Sequence, residues 1–197
     1  MPNKQPANNS LSGLDAFDPE SDALNVIVET PKGSRYKFKY DEEQRMFKLG
    51  KLLPAGMSFP YDFGFIPSTR GGDGDPLDVL VLMDEPAFAG CLVPARLIGV
   101  IEAEQTEEGE TQRNDRLIAI AVDSNEQRGV ERLDDLSPNL LDQIEHFFVS
   151  YNEQRGKEFK PLGRSGPEWA RELVDEGIKR TRGLKRSRPA PKRKQEK

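Results

Sequence analysis

One cysteine, one histidine and one tryptophan in 197 residues narrow the chemistry open to this chain. A lone thiol cannot close an intramolecular disulfide, and Cys91, set in the apolar context GCLVPARLIGV, reads as a small buried hydrophobe. The single histidine, His146, stands beside Phe147 and Phe148 and reads as a satisfied structural residue rather than a catalytic base. Trp169 reads as part of the core. No segment reaches the roughly 18 consecutive apolar residues of a membrane span, and the N-terminal stretch lacks the apolar centre of a signal peptide. A soluble, cytoplasmic protein is expected. Internal repeats are absent as well.

What is present is charge, unevenly placed. The net charge is -5 on 34 acidic and 29 basic residues. From Lys179 to Lys197 there are ten Lys or Arg and one Glu, giving +9, so the rest of the chain carries -14. The stretch KRTRGLKRSRPAPKRKQEK has too few apolar side chains to offset the entropy of ordering, and its cations suit nucleic acid or polyphosphate. With 35% hydrophobic residues, the chain can bury one sizeable core. The expected organisation is a flexible N-terminal segment at 1–22, one domain at 23–182, and a disordered basic tail at 183–197.

Strands are expected before helices. LNVIVET (24–30) and RYKFKYD (35–41) are rich in β-formers around a Pro-Lys-Gly-Ser turn, which suggests a hairpin between them. RMFKL, LDVLVLM, CLVPARLIGVIEA and RLIAIAV are further candidates, and the polar EQTEEGETQRND joins the last two, its acidic part reading as a solvated hairpin. So many short strands suggest a small barrel. A helix over about 138–154 is marked by Ser137 as N-cap, Pro138 at the first helical position, and Leu141, Ile144, Phe148 and Tyr151 on one face. A second is expected over about 167–181.

The chemistry concentrates in GGDGDPLDVLVLMDEP (71–86). Asp73 and Asp75, two residues apart on an extended chain, point the same way about 6.7 Å apart, and Asp78 can fold back after Pro76. At about 5 Å and an effective dielectric near 20, each ionised pair repels by about 3 kcal/mol. A divalent cation would compensate. Oxygen ligands without His or Cys favour Mg²⁺, Mn²⁺ or Ca²⁺ over zinc. An EF-hand is excluded, because Leu77 and Asp78 occupy the fifth and sixth loop positions and Asp84 the twelfth. Gly, Asp and Pro are also ordinary turn residues, so the loop alone leaves both readings open.

The neighbourhood adds to it. FPYDFGFIPSTRGGDGDPLDVLVL couples an aromatic and glycine segment to the acidic loop, and with VETPKGSRYKFKYD upstream and QIEHFFVSY downstream it resembles the family I soluble inorganic pyrophosphatases. The resemblance runs from about Val26 to Tyr151. It implies an α+β fold, mainly β, with a five-stranded OB-like barrel flanked by helices, a homo-oligomer, and hydrolysis of pyrophosphate to two phosphates with Mg²⁺, Mn²⁺ being the alternative. By the same resemblance Asp73 and Asp78 match metal ligands, and Asp75 matches the metal-site carboxylate that deprotonates the attacking water. Glu29 matches an outer metal-site glutamate, and Lys37 and Tyr151 match phosphate-binding positions.

The chain departs from that pattern at several points. Lys39 stands where the family has an acidic residue, Lys51 where it has a phosphate-clamping arginine, Phe59 and Phe63 where it has tyrosines, and Asn152 where it has a lysine. In the polar segment the family's two aspartates and lysine align with Glu107, Asn114 and Arg116, with Asp115 one position off; Glu107, Asn114 and Asp115 are the metal-site candidates there and Arg116 a substrate-binding one. The alternative to an active, if impaired, enzyme is a pyrophosphatase-like fold kept as a phosphate-ligand or polyanion-binding module.

Overall fold

The computed structural model describes residues 11–187. Residues 1–10 and 188–197 lie outside the described residues, and with them the first part of the N-terminal segment and most of the basic tail.

Among the described residues, nine strands and two α-helices follow one another as β1 (Leu24–Thr30), β2 (Tyr36–Asp41), β3 (Met46–Leu52), β4 (Asp62–Phe65), β5 (Asp78–Leu82), β6 (Leu92–Glu107), β7 (Glu110–Arg113), β8 (Arg116–Ala121), α1 (Pro138–Glu153), β9 (Glu158–Ser165) and α2 (Pro167–Ser187). The main sheet runs β1-β4-β5-β8-β6, and β1 pairs again with β6, so the five strands close into a ring. The expected mainly β, OB-like architecture with flanking helices is what the chain adopts.

Closure explains the sequence of its strands. Residues on β5 and β8 alternate between two apolar clusters: Leu80, Leu82, Ile118 and Ile120 pack with Leu141, Ile144 and Phe148 of α1, while Val79, Val81, Leu117 and Ala119 pack with Ala170 and Val174 of α2. Both faces are covered, so these strands are continuously apolar instead of alternating with polar residues. Ser137 caps α1 as expected, accepting a hydrogen bond from the Leu140 amide.

The hairpin expected between 24–30 and 35–41 does not form. Strand β1 pairs with β4 on one side and β6 on the other, which leaves it no free edge, and β2 pairs with β3 in a separate two-stranded sheet. Side chains take over the connection. Thr30 Oγ1 accepts from the Phe38 amide at 3.1 Å, and Glu29 Oε1 accepts from the Tyr40 amide at 2.7 Å.

Both ends of the domain are longer than expected. Residues inside the supposed flexible 1–22 are docked: Ala16 is buried, Phe17 bridges to Leu24, and Asp22 pairs with Arg171 of α2 at 3.0 Å. Helix α2 continues past 181 and past the expected tail boundary at 183, as far as Ser187. Lys and Arg favour helix and suit its C-terminal end, and no proline interrupts the run before Pro189. Cys91 is half-buried and Trp169, 38% exposed, lies at the surface, so neither is the core residue it was expected to be.

Candidate active site

The acidic loop is built by its own backbone and held from outside. Thr69 Oγ1 donates to the Ile66 carbonyl and accepts from the Leu77 amide, and the Gly71 amide donates to the Asp75 carbonyl at 2.8 Å. Gly74 has φ +86°, a turn that L side chains rarely adopt, and Arg70 donates to its carbonyl. Asp73 Oδ1 accepts from the Asp75 amide at 3.0 Å, fixing the relation between the two carboxylates. Behind the loop stands α2: the Arg70 amide donates to the Gly177 carbonyl at 3.1 Å, and a methyl on Gly177 would sit 2.8 Å from Leu77 Cδ1.

The loop forms one wall of an open cavity of about 1170 Å³. Glu29 of β1, Lys37 and Lys39 of β2, Lys51 of β3, Arg116 of β8, and Tyr151 of α1 all line it, with Phe59 and Phe63 as its apolar floor. Glu29 is more than nine-tenths buried, with Oε1 accepting from the Tyr40 amide. Burial pushes its pKa from the ordinary 4.5 up to about 7, against the pull of the Tyr40 amide and of Lys37. Asp73 is also raised, first by desolvation in the cavity wall and then by the charges of Asp75 and Asp78. The Lys37 ammonium lies 4.7 Å from the centre of the Phe63 ring and 5.8 Å from that of Tyr151, a cation held against aromatic faces.

Two further cations engage the loop directly. Lys39 Nζ lies 3.0 Å from Asp75 Oδ2, and Arg116 Nη1 lies 2.8 Å from Asp78 Oδ2. Arg116 is 4% exposed, clamped between the rings of Phe148 and Phe159 at 5.1 and 5.4 Å, and it also donates to Asn114 Oδ1. Asn114 in turn donates to Gln105 Oε1 at 2.9 Å. Among the described residues, no three Asp, Glu, His or Cys side chains converge to hold a metal ion.

Such a cavity, an acidic loop facing a basic wall on a closed ring of strands, can be compared with known proteins. A sequence model of the family described as inorganic pyrophosphatase matches residues 26–182. The chain belongs to the inorganic pyrophosphatase family. It is 35% identical over 161 residues to the inorganic pyrophosphatase of Nostoc sp., covering 82% of this chain and 93% of that one. With that of Halalkalibacterium halodurans it shares 35% identity over 164 residues, covering 83% and 98%. The crystal structure of the Thermus thermophilus inorganic pyrophosphatase superposes with a TM-score of 0.80 at 32% identity, covering 88% of this chain and 99% of that one.

Within this family member, Asp73, Asp75, Asp78, Glu29, Lys37, Lys51, Glu107, Asn114, Arg116 and Tyr151 share the one cavity. Asp115 does not belong with them. Its carboxylate accepts from the Ala103 amide at 2.9 Å and pairs with Arg113 at 2.9 Å, so it serves the β6–β8 connection. Glu107 sits exposed and paired with Lys157, whereas Gln105 is buried in the wall beside Asn114. Extending the apolar spacing Ile101, Ala103 by one more step of two reaches Gln105, and that periodicity was the available signal. His146 is exposed, its Nδ1 2.7 Å from the Asp142 carbonyl.

Arg155 is the cationic wall residue that motif matching misses. Asn152, the residue aligned with the family's lysine, is buried and donates to the Phe148 carbonyl at 2.8 Å. Arg155 lies four residues beyond Tyr151, stacks on that ring at 5.1 Å, donates to its hydroxyl at 3.0 Å, and lines the cavity. Its buried Nε has no partner among the described residues. It lies in the turn just after α1, and the i,i+4 spacing from Tyr151 could have found it.

Proposed function

We propose that this chain hydrolyses inorganic pyrophosphate to two phosphates with a divalent metal ion, Mg²⁺ or Mn²⁺. The observation that carries the reading is the single cavity in which Asp73, Asp75, Asp78 and Glu29 face Lys37, Lys51 and Arg155. A tetraanionic substrate needs both sides of it.

The donor types suit a hard cation: carboxylate oxygens, with Glu29 and Asp73 both raised by burial and so short of positive charge. Asp73 and Glu29 would hold the ion, with Asp75 and Asp78 beside them; the Asn114 carbonyl oxygen is taken by Arg116. A bound divalent ion supplies a lowered pKa for the attacking water and screening of the phosphoryl oxygens. Lys39 holds Asp75 Oδ2, and among the described residues no hydrogen bond occupies Oδ1, which would take the proton from that water. The new P–O bond forms to the water oxygen as the bridging P–O bond breaks, and the proton passes to the departing phosphate. Lys37, Lys51 and Arg155 neutralise the oxygens of the two phosphates, and the Tyr151 hydroxyl is held beside them by Arg155.

Phosphate release from pyrophosphate, measured with Mg²⁺ or Mn²⁺, tests this. The expected result is turnover that falls at least about 100-fold in Asp75→Asn, the scale of a lost general base; no release above that variant overturns it. The same reading includes a homo-oligomer, for which exposed Met46, Leu49 and Leu52 on β3 and Phe88 offer apolar surface. A cytoplasmic location and a polyanion contact at the basic C-terminal stretch belong to it too. No helix among the described residues is long and apolar enough to cross a membrane.

A further inference from the structure

The acidic loop is entered through a residue in an unfavourable conformation. Ser68 has φ +54°, the left-handed region that residues with a side chain seldom adopt, and such a conformation persists where the surroundings hold it. Its hydroxyl supplies a hold: Ser68 Oγ donates to the Leu14 carbonyl at 2.6 Å. The next residue, Thr69, ties the two ends of the loop through the Ile66 carbonyl and the Leu77 amide. A shift of the Ser68 backbone is therefore passed to the turn that carries Asp73 and Asp75.

Leu14 belongs to a segment that precedes residues 26–182, those matched by the family model. That segment is fastened to the domain independently of the loop. The Asn25 amide donates to the Ala16 carbonyl at 2.8 Å and the Asn25 side chain to the Asp15 carbonyl at 3.0 Å, and Ala16 is buried. Arg171 of α2 lies 3.6 Å from the centre of the Phe17 ring and donates to both carboxylate oxygens of Asp22, at 3.0 and 3.1 Å. Gly13 and Ser68 both line the large cavity, which places the join at its rim. A smaller cavity of about 280 Å³ lies between Asp15, Ala16 and Phe17 and the α2 residues Ile178, Thr181 and Arg182, and Ser68 bounds it too. The Ser68–Leu14 hydrogen bond thus joins segment and loop beside open space, and the loop has room to shift when that bond is lost.

We infer that the segment from Gly13 to Asp22 is a strap that positions the acidic loop, with Ser68 as the positioning residue through which it acts. The inference rests on the hydrolytic reading above. It concerns turnover more than substrate affinity, because Lys37, Lys51, Tyr151 and Arg155 are carried by β2, β3, α1 and the turn after α1.

Two measurements on the full chain test it. The Gly71, Asp75 and Leu77 amides are hydrogen-bonded within the loop; in metal-free protein they should exchange with deuterium about fivefold faster in Ser68→Ala than in the wild type, the ratio that one net hydrogen bond controls. At saturating Mg²⁺, kcat for phosphate release should fall about fivefold with KM for pyrophosphate unchanged. Ser68→Asn restores both, since asparagine tolerates positive φ and its amide can donate to the Leu14 carbonyl. Asp22→Asn, which weakens only the Arg171 fastening, lowers the urea midpoint and leaves exchange and kcat as they are. Wild-type exchange in Ser68→Ala overturns the inference, as does an equal loss in Ser68→Asn, or an equal rise of exchange in Asp22→Asn, which would make the segment a general stabiliser of the domain. Faster exchange with kcat unchanged also overturns it. A chain that releases no phosphate loses the hydrolytic reading, and the exchange data, taken without metal or substrate, then decide by themselves whether the strap holds the loop.

Discussion

Glu29 sits more than nine-tenths buried at the end of β1, with a pKa near 7 instead of 4.5. An acid raised in the folded state favours folding at low pH and loses that contribution as pH rises from the unfolded value through the folded one. Between about pH 4.5 and 7 the metal-free protein should therefore lose stability, by up to about 3 kcal/mol for this one group. Glu29→Gln keeps an oxygen for the Tyr40 amide and removes the ionisation. In urea melts with chelator present, the variant should match the wild type near pH 4.5 and exceed it above pH 7. Added Mg²⁺ should close that gap by stabilising the charged wild type, and equal pH profiles for the two proteins would contradict the burial argument. Arg116 makes the opposite case. Arg116→Ala leaves Asp78 without its cation and empties the slot between Phe148 and Phe159, an expected loss of about 3 kcal/mol measurable in the same melts.

At the scale of elements, two glycines set how closely backbones approach. Gly64 of β4 lies against β1, where an added Cβ would be 2.1 Å from the Ile27 carbonyl oxygen and 3.0 Å from Val28 Cα. Backbone cannot yield as a side chain can, so Gly64→Ala should cost at least about 3 kcal/mol and shift the urea midpoint accordingly. Gly177 of α2 meets Leu77 and Thr69 of the acidic loop. Gly177→Val should displace that loop, lowering phosphate release by more than tenfold with a smaller loss of stability; full activity would show that α2 does not position Asp73 and Asp75. Such contacts mark what the sequence could and could not convey. The β-branched runs of β1, β5 and β8 are visible because propensity and burial agree there. Strand β4 is only four residues, β7 is wholly polar, and β9 carries Pro161 and Gly163, tolerated because it pairs with β6 alone and its register shifts nearby. The three aspartates were legible as neighbours in sequence. Lys39 pairs with Asp75 from β2, and Gln105 and Arg155 line the same cavity from elsewhere in the chain, while the hairpin expected of β1 and β2 failed because ring closure, a long-range event, consumed both edges of β1.

For the whole molecule, charge is segregated along the chain, and the consequence concerns polyanions larger than pyrophosphate. Residues 1–178 carry -14 and residues 179–197 carry +9. Lys179, Arg180 and Arg182 are exposed near the end of α2, so the basic run begins on a rigid helix that also supports the acidic loop. A polyanion drawn to this stretch would release counterions, and its affinity would fall with salt in proportion to the contacts made. Residues 188–197 hold five of the ten cations. Removing them should weaken binding of a single-stranded RNA or a linear polyphosphate at low salt. The slope of log K against log salt should become shallower by up to about 3.5, at about 0.7 per lost phosphate contact on a single strand. Hydrolysis of pyrophosphate should be unchanged, since every described residue that lines the cavity precedes that segment. Binding and slope both unaffected by the truncation would mean that the tail's charge is balanced by the acidic body of the chain itself, leaving no contact to a partner outside it.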